Sequence, residues 1–189
     1  MTLQTTEIIG HTTDIPGLLW FDVSKVEDER GWYQENFQKE KLVAAGLPRD
    51  FNIVQNSFSY NKKKGVTRGF HAEPWDKYLT VIKGSVFVAY PDLRKGDTYG
   101  KVFTLKLTPG KAVFLPRGVA NSFQTLKDDT YYIYSVNAHW SAEKYNQYVF
   151  VNLADPHLNV KWPVPLGDAI MSDRDRNHPM FKDINPIEV

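Results

Sequence analysis

No cysteine occurs among the 189 residues, which excludes a disulfide framework, a thiolate metal site and a thiol nucleophile. That composition suits a reducing compartment, and the cytoplasm is the expected location. Charge of one sign is missing too: 23 Lys and Arg against 22 Asp and Glu leave a formal +1. Nucleic acid and acidic membrane surfaces attract a clustered basic excess, so neither is expected as a partner. An anionic ligand would have to be held by a few placed cations. The one basic run, Lys62-Lys63-Lys64, reads as a solvated turn. No stretch of about 18 apolar residues exists, and Met1-Thr2-Leu3-Gln4-Thr5-Thr6-Glu7 has neither a basic start nor an apolar core. Membrane insertion and secretion are therefore not expected.

What the chain does have is repeated short apolar runs separated by turn residues, at a length suited to one domain. Leu18–Val23 and Gly31–Phe37 read as strands joined by a turn at Glu27–Arg30, and Lys39–Gly46 reads as a short helix stopped by glycine. From residue 51 the runs come at close, even spacing, with turns at Lys83-Gly84, Pro109-Gly110 and Asp128-Asp129. This pattern predicts an all-β fold, an antiparallel jelly-roll sandwich with a few short helices near the N-terminus and in a C-terminal cap. Residues 1–189 form one domain in this reading: N-terminal strands and helix over 1–50, sandwich core over 51–150, and a proline-punctuated cap over 151–189.

The densest chemistry lies in Arg68-Gly69-Phe70-His71-Ala72-Glu73-Pro74-Trp75-Asp76-Lys77-Tyr78. Strand alternation sets the His71 side chain on the face opposite Phe70 and Ala72, and imidazole is suited to taking a proton near pH 7. A satisfied core histidine is the plainer alternative. Asp175 is a candidate to orient that ring, against the plainer reading of an exposed loop carboxylate. Lys77 follows His71 by six residues, a parity that shares one face if the strand runs without a bulge. Its ammonium could polarise a carbonyl oxygen and stabilise an enolate. In Tyr131-Tyr132-Ile133-Tyr134, two tyrosines share a face, and a phenol could deliver a proton from the side opposite a base. Arg30, Glu35, Gln55, Asn56 and Arg68 are polar residues within apolar strand texture, suited to phosphate and base-edge contacts.

Two stretches match the cupin pattern: Gly65, His71, Glu73, Lys77 and Gly84, then Gly110, Pro116, Gly118 and Asn121, at that pattern's spacing. The metal-binding members of that class carry His, Glu and His at the positions of Glu73, Lys77 and Asn121. A cation at Lys77 opposes a metal there, so no metal is expected at those positions.

Over nearly its whole length the chain resembles the nucleotide-sugar 3,5-epimerases, on Asp28-Glu29-Arg30-Gly31-Trp32, Gln55-Asn56, Arg68-Gly69-Phe70-His71, Lys77, Asp92-Leu93-Arg94, Thr98-Tyr99-Gly100, Pro116-Arg117-Gly118-Val119-Ala120-Asn121 and Trp162-Pro163. The variant running from His71 to Tyr78 looks most like a streptococcal form. The resemblance implies a cofactor-free enzyme that inverts C3 and C5 of dTDP-4-dehydro-6-deoxy-D-glucose through an enolate, on the route to dTDP-L-rhamnose. It implies His71 as base, Asp175 as its partner, Tyr134 rather than Tyr132 as acid, and Lys77 at the enolate oxygen. It further implies Arg30, Glu35, Gln55, Asn56, Arg68 and Asn121 in substrate binding, Trp140 stacked on thymine, and a homodimer whose N-terminal strands join the neighbour. Asn121 departs from the histidine of many members and can only hydrogen-bond. A single-carbon epimerase on a related sugar, and a non-catalytic sugar-nucleotide-binding cupin, are the alternatives.

Overall fold

The computed structural model describes residues 6–189, so the first five residues of the N-terminal segment read above lie outside the described residues. Thirteen strands and two short α-helices follow one another as β1 (Ile8–Thr12), β2 (Leu19–Val23), β3 (Lys25–Asp28), β4 (Gly31–Gln34), α1 (Lys39–Ala44), β5 (Gln55–Asn61), β6 (Thr67–Ala72), β7 (Lys77–Lys83), β8 (Val86–Pro91), β9 (Val102–Leu107), β10 (Lys111–Leu115), β11 (Asn121–Thr125), β12 (Thr130–Val136), β13 (Val149–Phe150) and α2 (Asp173–Arg176). One sheet runs β1-β2-β10-β7-β12-β5, the other β13-β6-β11-β8-β9, and β3-β4 form a separate hairpin. All these pairings are antiparallel, as expected for a jelly roll.

Alternation along the strands divides the apolar side chains among three cores. Leu79, Val81, Val113, Leu115 and Tyr132 of the first sheet meet Val86, Val88, Leu107 and Phe123 of the second between the sheets. The opposite face of the first sheet sends Phe21, Tyr78 and Phe114 against Leu42 of α1, Leu47 and Phe51. The outer face of the second sheet packs Phe70 and Ala72 against Val151, Leu153, Leu158 and Phe181 of the C-terminal cap. Because β7 is covered on both faces, its sequence Lys-Tyr-Leu-Thr-Val-Ile-Lys reads as a nearly continuous apolar run. Each fully buried side chain of Leu, Val or Phe size contributes roughly 1.5–3 kcal/mol. The two outer cores thus fix α1 and the cap firmly to the sandwich.

Helix α1 starts where the Gln38 side chain accepts the Lys41 N–H at 2.7 Å. It stops before Gly46, whose φ of +108° suits glycine. The N-terminal region holds two strands, β1 and β3, that alternation did not announce. Residues 27 and 28, expected in a turn, belong to β3, and the strand expected to reach Phe37 ends at Gln34. Glu27 pairs with Trp32 and Asp28 with Gly31, so the hairpin turns at Glu29-Arg30 alone.

One irregularity positions the functional residues. Asn121 faces His71 across β11 and β6, but Phe123 faces Arg68, so two steps along β11 answer three along β6. Gly69 lies in this bulge with φ +127°, and a Cβ there would stand 2.4 Å from the Ser122 Cβ. Directly opposed residues of an antiparallel pair share a face. Phe123 belongs to the central core, so Arg68 is set on that same face, with its side chain still exposed to solvent, and Asn121 and His71 share the face. Unbroken alternation would have sent Arg68 and His71 to opposite faces.

Candidate active site

His71 points away from Phe70 and Ala72, as alternation predicts, and its Nε2 lies 2.8 Å from Asp175 Oδ1. Asp175 is not the exposed loop carboxylate that its sequence context allowed. Ser172 caps the short α2, accepting the Asp175 N–H at 3.1 Å, and the carboxylate side chain is 7% exposed. Burial pushes the Asp175 carboxyl up. The hydrogen bond and charge of His71, with further help from Ser172 and His178, outweigh this and hold it below its ordinary value. An ionised Asp175 accepting from Nε2–H leaves Nδ1 of His71 as the free, basic nitrogen.

Lys77 does not share a strand with His71. The chain leaves β6 after Ala72, turns through residues 73–76 and enters β7 in the other sheet. Lys77 still points inward, because it alternates with Tyr78 and stands in register with Leu79 and Val81 of the central core. Its side chain is 1% exposed, and Nζ sits 3.2 Å from Glu73 Oε2. Such burial of an ammonium requires a partner, and Glu73 provides it. The side-chain identity at Glu73 therefore carries part of the site, at a position that sequence reading named only as a cupin ligand position.

Tyr134 and Tyr132 do share a face, and their environments separate them. Tyr132 is fully buried, with its hydroxyl 2.9 Å from that of Tyr90 and 3.0 Å from Asn121 Oδ1, to which it donates. Tyr134 is half-buried and lines a cavity of about 240 Å³ with Gln55, Ser57, Glu73, Trp75, Val136, Trp140 and Tyr148. Burial pushes the Tyr134 phenol up and the Glu73 charge adds to this, against downward pulls from Arg68 and Asn121. The phenol is thus protonated at neutral pH. The charges of both Arg68 and Asp175 reach it, which ties the His71 side of the sandwich to the Tyr134 side. Asn121 links them physically, opposite His71 in register and hydrogen-bonded to Tyr132.

Among the remaining expected residues, Gln55 lines the cavity and its Oε1 accepts the Trp140 N–H at 2.9 Å. Trp140 is 55% exposed at the cavity rim. Arg68 donates to Asn61 Oδ1 at 3.3 Å. Three residues are not brought together with the cluster. Asn56 alternates with Gln55 and is exposed on the far face of β5. Arg30 sits at the tip of the β3–β4 hairpin, paired with Asp28 at 2.5 Å and 85% exposed. Glu35 binds Thr6 and Lys41, the latter at 2.5 Å.

His178 was missed by sequence reading. It lies three residues beyond Asp175, its ring centroid 5.3 Å from that of His71 and 4.8 Å from that of Phe150. Its Nε2 is 3.9 Å from Asp175 Oδ1, and the side chain is 5% exposed. Burial first, and then the charge of His71, hold its pKa below the ordinary histidine value. The spacing from Asp175, a single helical turn beyond a serine cap, was the available signal.

A family model described as dTDP-4-dehydrorhamnose 3,5-epimerase matches residues 12–183. The chain is 45% identical over 179 residues to the RmlC homolog of Streptococcus pyogenes, covering 93% of this chain and 90% of that protein. It is 31% identical over 178 residues to the dTDP-4-dehydrorhamnose 3,5-epimerase of Shigella flexneri, covering 90% of this chain and 94% of the relative. RmlC from Streptococcus suis, solved in complex with dTDP-D-xylose, matches with a TM-score of 0.91 at 44% identity, covering 98% of this chain and 96% of that one. The family match over most of the chain and the identity to these relatives show that the chain belongs to the dTDP-4-dehydrorhamnose 3,5-epimerase family.

Proposed function

We propose that the protein is the epimerase that converts dTDP-4-dehydro-6-deoxy-D-glucose into dTDP-4-dehydro-L-rhamnose. The observation that supports the mechanism is a carboxylate-held imidazole on one sheet and, on the other, a phenol lining a cavity with Glu73, the partner of a buried ammonium. The C4 ketone acidifies the hydrogens on C3 and C5. Nδ1 of His71 takes the proton, leaving an enolate, while Asp175 stabilises the imidazolium so formed. Lys77 faces the enolate oxygen as it gains charge, an interaction that is strongest in the transition state. Tyr134 then gives its proton to the carbanion from the opposite face; solvent returns a proton to the phenolate and takes the one held by the His71 imidazolium. Repetition at the second carbon follows after the ring turns over.

Incubation in deuterated water with dTDP-4-dehydro-6-deoxy-D-glucose tests this reading, with label expected at both C3 and C5. Label at one carbon only would reassign the protein as a single-carbon epimerase, and label at neither would remove the proposal. Tyr134→Phe separates the two proton-transfer roles. Label should still enter, because His71 is intact, but the share of inverted product should fall by roughly 10²-fold, the lower range for a lost general acid. Equal losses of exchange and inversion would instead make Tyr134 part of the abstraction step.

The protein is further proposed to work as a homodimer. Support comes from Trp32 and Tyr33, 44% and 64% exposed on an isolated two-stranded hairpin, and from Phe58 and Tyr60, 61% and 48% exposed on the edge strand β5, with Val54, 45% exposed, just before it. A lone hairpin is marginal in water, and an apolar sheet edge invites a strand. Sedimentation should give twice the 21.8 kDa chain mass; a 21.8 kDa species at assay concentration would overturn the dimer and leave the chemistry intact.

A further inference from the structure

The buried His178 ring lies against the backbone of Gly69 and Val151, but neither ring nitrogen reaches full hydrogen-bond geometry with a described residue. Backbone carbonyls can accept from a ring N–H but cannot serve the lone pair of the other nitrogen, which is left for an occupant. The donor atoms of His71, Asp175 and His178 all lie within 4.8 Å of one another. Two separations are known more closely, 2.8 Å from His71 Nε2 to Asp175 Oδ1 and 3.9 Å from His178 Nε2 to the same oxygen. Ligands bound to zinc at about 2.0–2.1 Å in a tetrahedron stand about 3.3 Å apart, so these spacings bracket the required one. Two imidazoles and one carboxylate are a zinc donor set.

We propose that His71, Asp175 and His178 form an inhibitory site for a divalent transition-metal ion of the zinc type. This triad shares only His71 with the cupin ligand positions. The cation that opposes a metal at those positions is neutralised here, since Lys77 is paired with Glu73. The arginines adjoining Asp175 are also engaged elsewhere, Arg174 with the Tyr145 hydroxyl at 2.8 Å and Arg176 with the Ala169 carbonyl at 2.9 Å. The remaining formal charge of the triad is the negative one on Asp175. His71, 27% exposed, is the solvent-reachable member and gives the ion its route in.

Metal binding and proton abstraction exclude each other for a specific reason. In the metal-free state Nε2 of His71 carries the ring proton toward Asp175, and Nδ1 has the lone pair. An ion on Nε2 takes that position, and the single ring proton of the neutral imidazole moves to Nδ1. No proton is gained or lost in this exchange. The nitrogen that should accept the substrate proton then has none of its basicity left, and Asp175 is withdrawn into coordination.

The test uses the full-length, chelator-treated protein titrated with Co²⁺ and, separately, Zn²⁺. One Co²⁺ per chain with the visible d–d bands of a four-coordinate ion is expected. Zn²⁺ should stop deuterium exchange into the sugar nucleotide, and a chelator should restore it. His178→Phe keeps an aromatic ring against Phe150 without a donor atom, and should weaken both Co²⁺ and Zn²⁺ binding by roughly tenfold or more, the scale of loss seen when metal-site partners are removed. His178→Cys supplies a different zinc ligand and should retain binding, which packing alone would not explain. Should the phenylalanine variant not fold, His178→Ala makes the same comparison with the cysteine variant. Failure of the wild-type chain to bind Co²⁺ in a one-to-one complex, or equal binding by wild type and the donor-free variant, would overturn the site. Because the cobalt spectrum requires no turnover, these outcomes remain distinct from any failure of the proposed epimerase activity.

Discussion

His71→Ala should reduce deuterium incorporation at C3 and at C5 together, by roughly 10²- to 10⁴-fold, the usual contribution of a positioned general base. The joint loss is the informative part. His71 holds the buried Asp175 carboxylate at 2.8 Å and is 27% exposed, whereas His178 stands 3.9 Å from that carboxylate and is 5% exposed, out of reach of a substrate. Lys77 is tied to Glu73, and the Tyr134 phenol is held in its protonated form. Neither can replace the imidazole as a base. Asp175 should respond as well. Its carboxyl is held down chiefly by the His71 contact against the upward push of burial, so removing the ring should raise its pKa. His71→Asn provides the control for structure, since an amide can donate to Asp175 but cannot take up a proton at neutral pH. Carbon-resolved NMR of the product measures both exchanges. Persistent exchange at one carbon in either variant would require a second base and would end the single-base mechanism.

Gly69→Ala should be among the most destabilising single-methyl additions available in this chain. The new Cβ would lie 2.4 Å from Ser122 Cβ, 2.8 Å from Ser122 Cα and 2.7 Å from the Asn121 carbonyl oxygen. Two of those atoms are backbone, which cannot swing aside as the end of a side chain can. The φ of +127° adds a conformational cost for any L-residue. Strained backbone and overpacking each cost about 1–3 kcal/mol, so a combined loss of roughly 2–6 kcal/mol is expected. That is a large part of the typical 5–15 kcal/mol stability of a domain. Urea unfolding checks it, with the transition midpoint moving down by about 1–3 M at the slope of about 2 kcal/mol/M common for small proteins. Gly167→Ala, with nothing within 4 Å of its Cβ, should leave the midpoint unmoved. An unchanged midpoint in Gly69→Ala would mean that β6 and β11 can pair without the bulge. The activity of any folded fraction should fall too, because the bulge brings Arg68 and His71 to the same face.

The antiparallel class was legible because short apolar runs and turn pairs recur along the chain: Pro109-Gly110 lies between β9 and β10, while the turn expected at Lys83-Gly84 falls one residue later, at Gly84-Ser85, because Lys83 ends β7. Strands β1 and β3 were less visible, since Ile-Ile-Gly-His-Thr and Lys-Val-Glu-Asp have little alternation. They acquire strand geometry from their neighbours, β1 from β2 and β3 from β4. Gln55 and Asn56 illustrate the limit within one dipeptide. Both had the chemistry of ligand contacts, but a strand turns adjacent side chains to opposite faces, and only Gln55 meets the cavity.

Sequence by itself determined which functional groups were available: imidazoles, carboxylates, phenols and arginines, with no thiol. It also determined the all-β class, because period-two alternation and turn chemistry are local properties. Which groups meet was decided only by the tertiary structure. His71 and Asp175 are 104 residues apart and join because the C-terminal cap buries its apolar face on the second sheet. Arg68 and His71 share a face because a bulge resets the parity of β6, and Lys77 confronts them from the other sheet. Distance along the chain and face parity after a bulge are set by packing across the whole sandwich, so no window of sequence contains them.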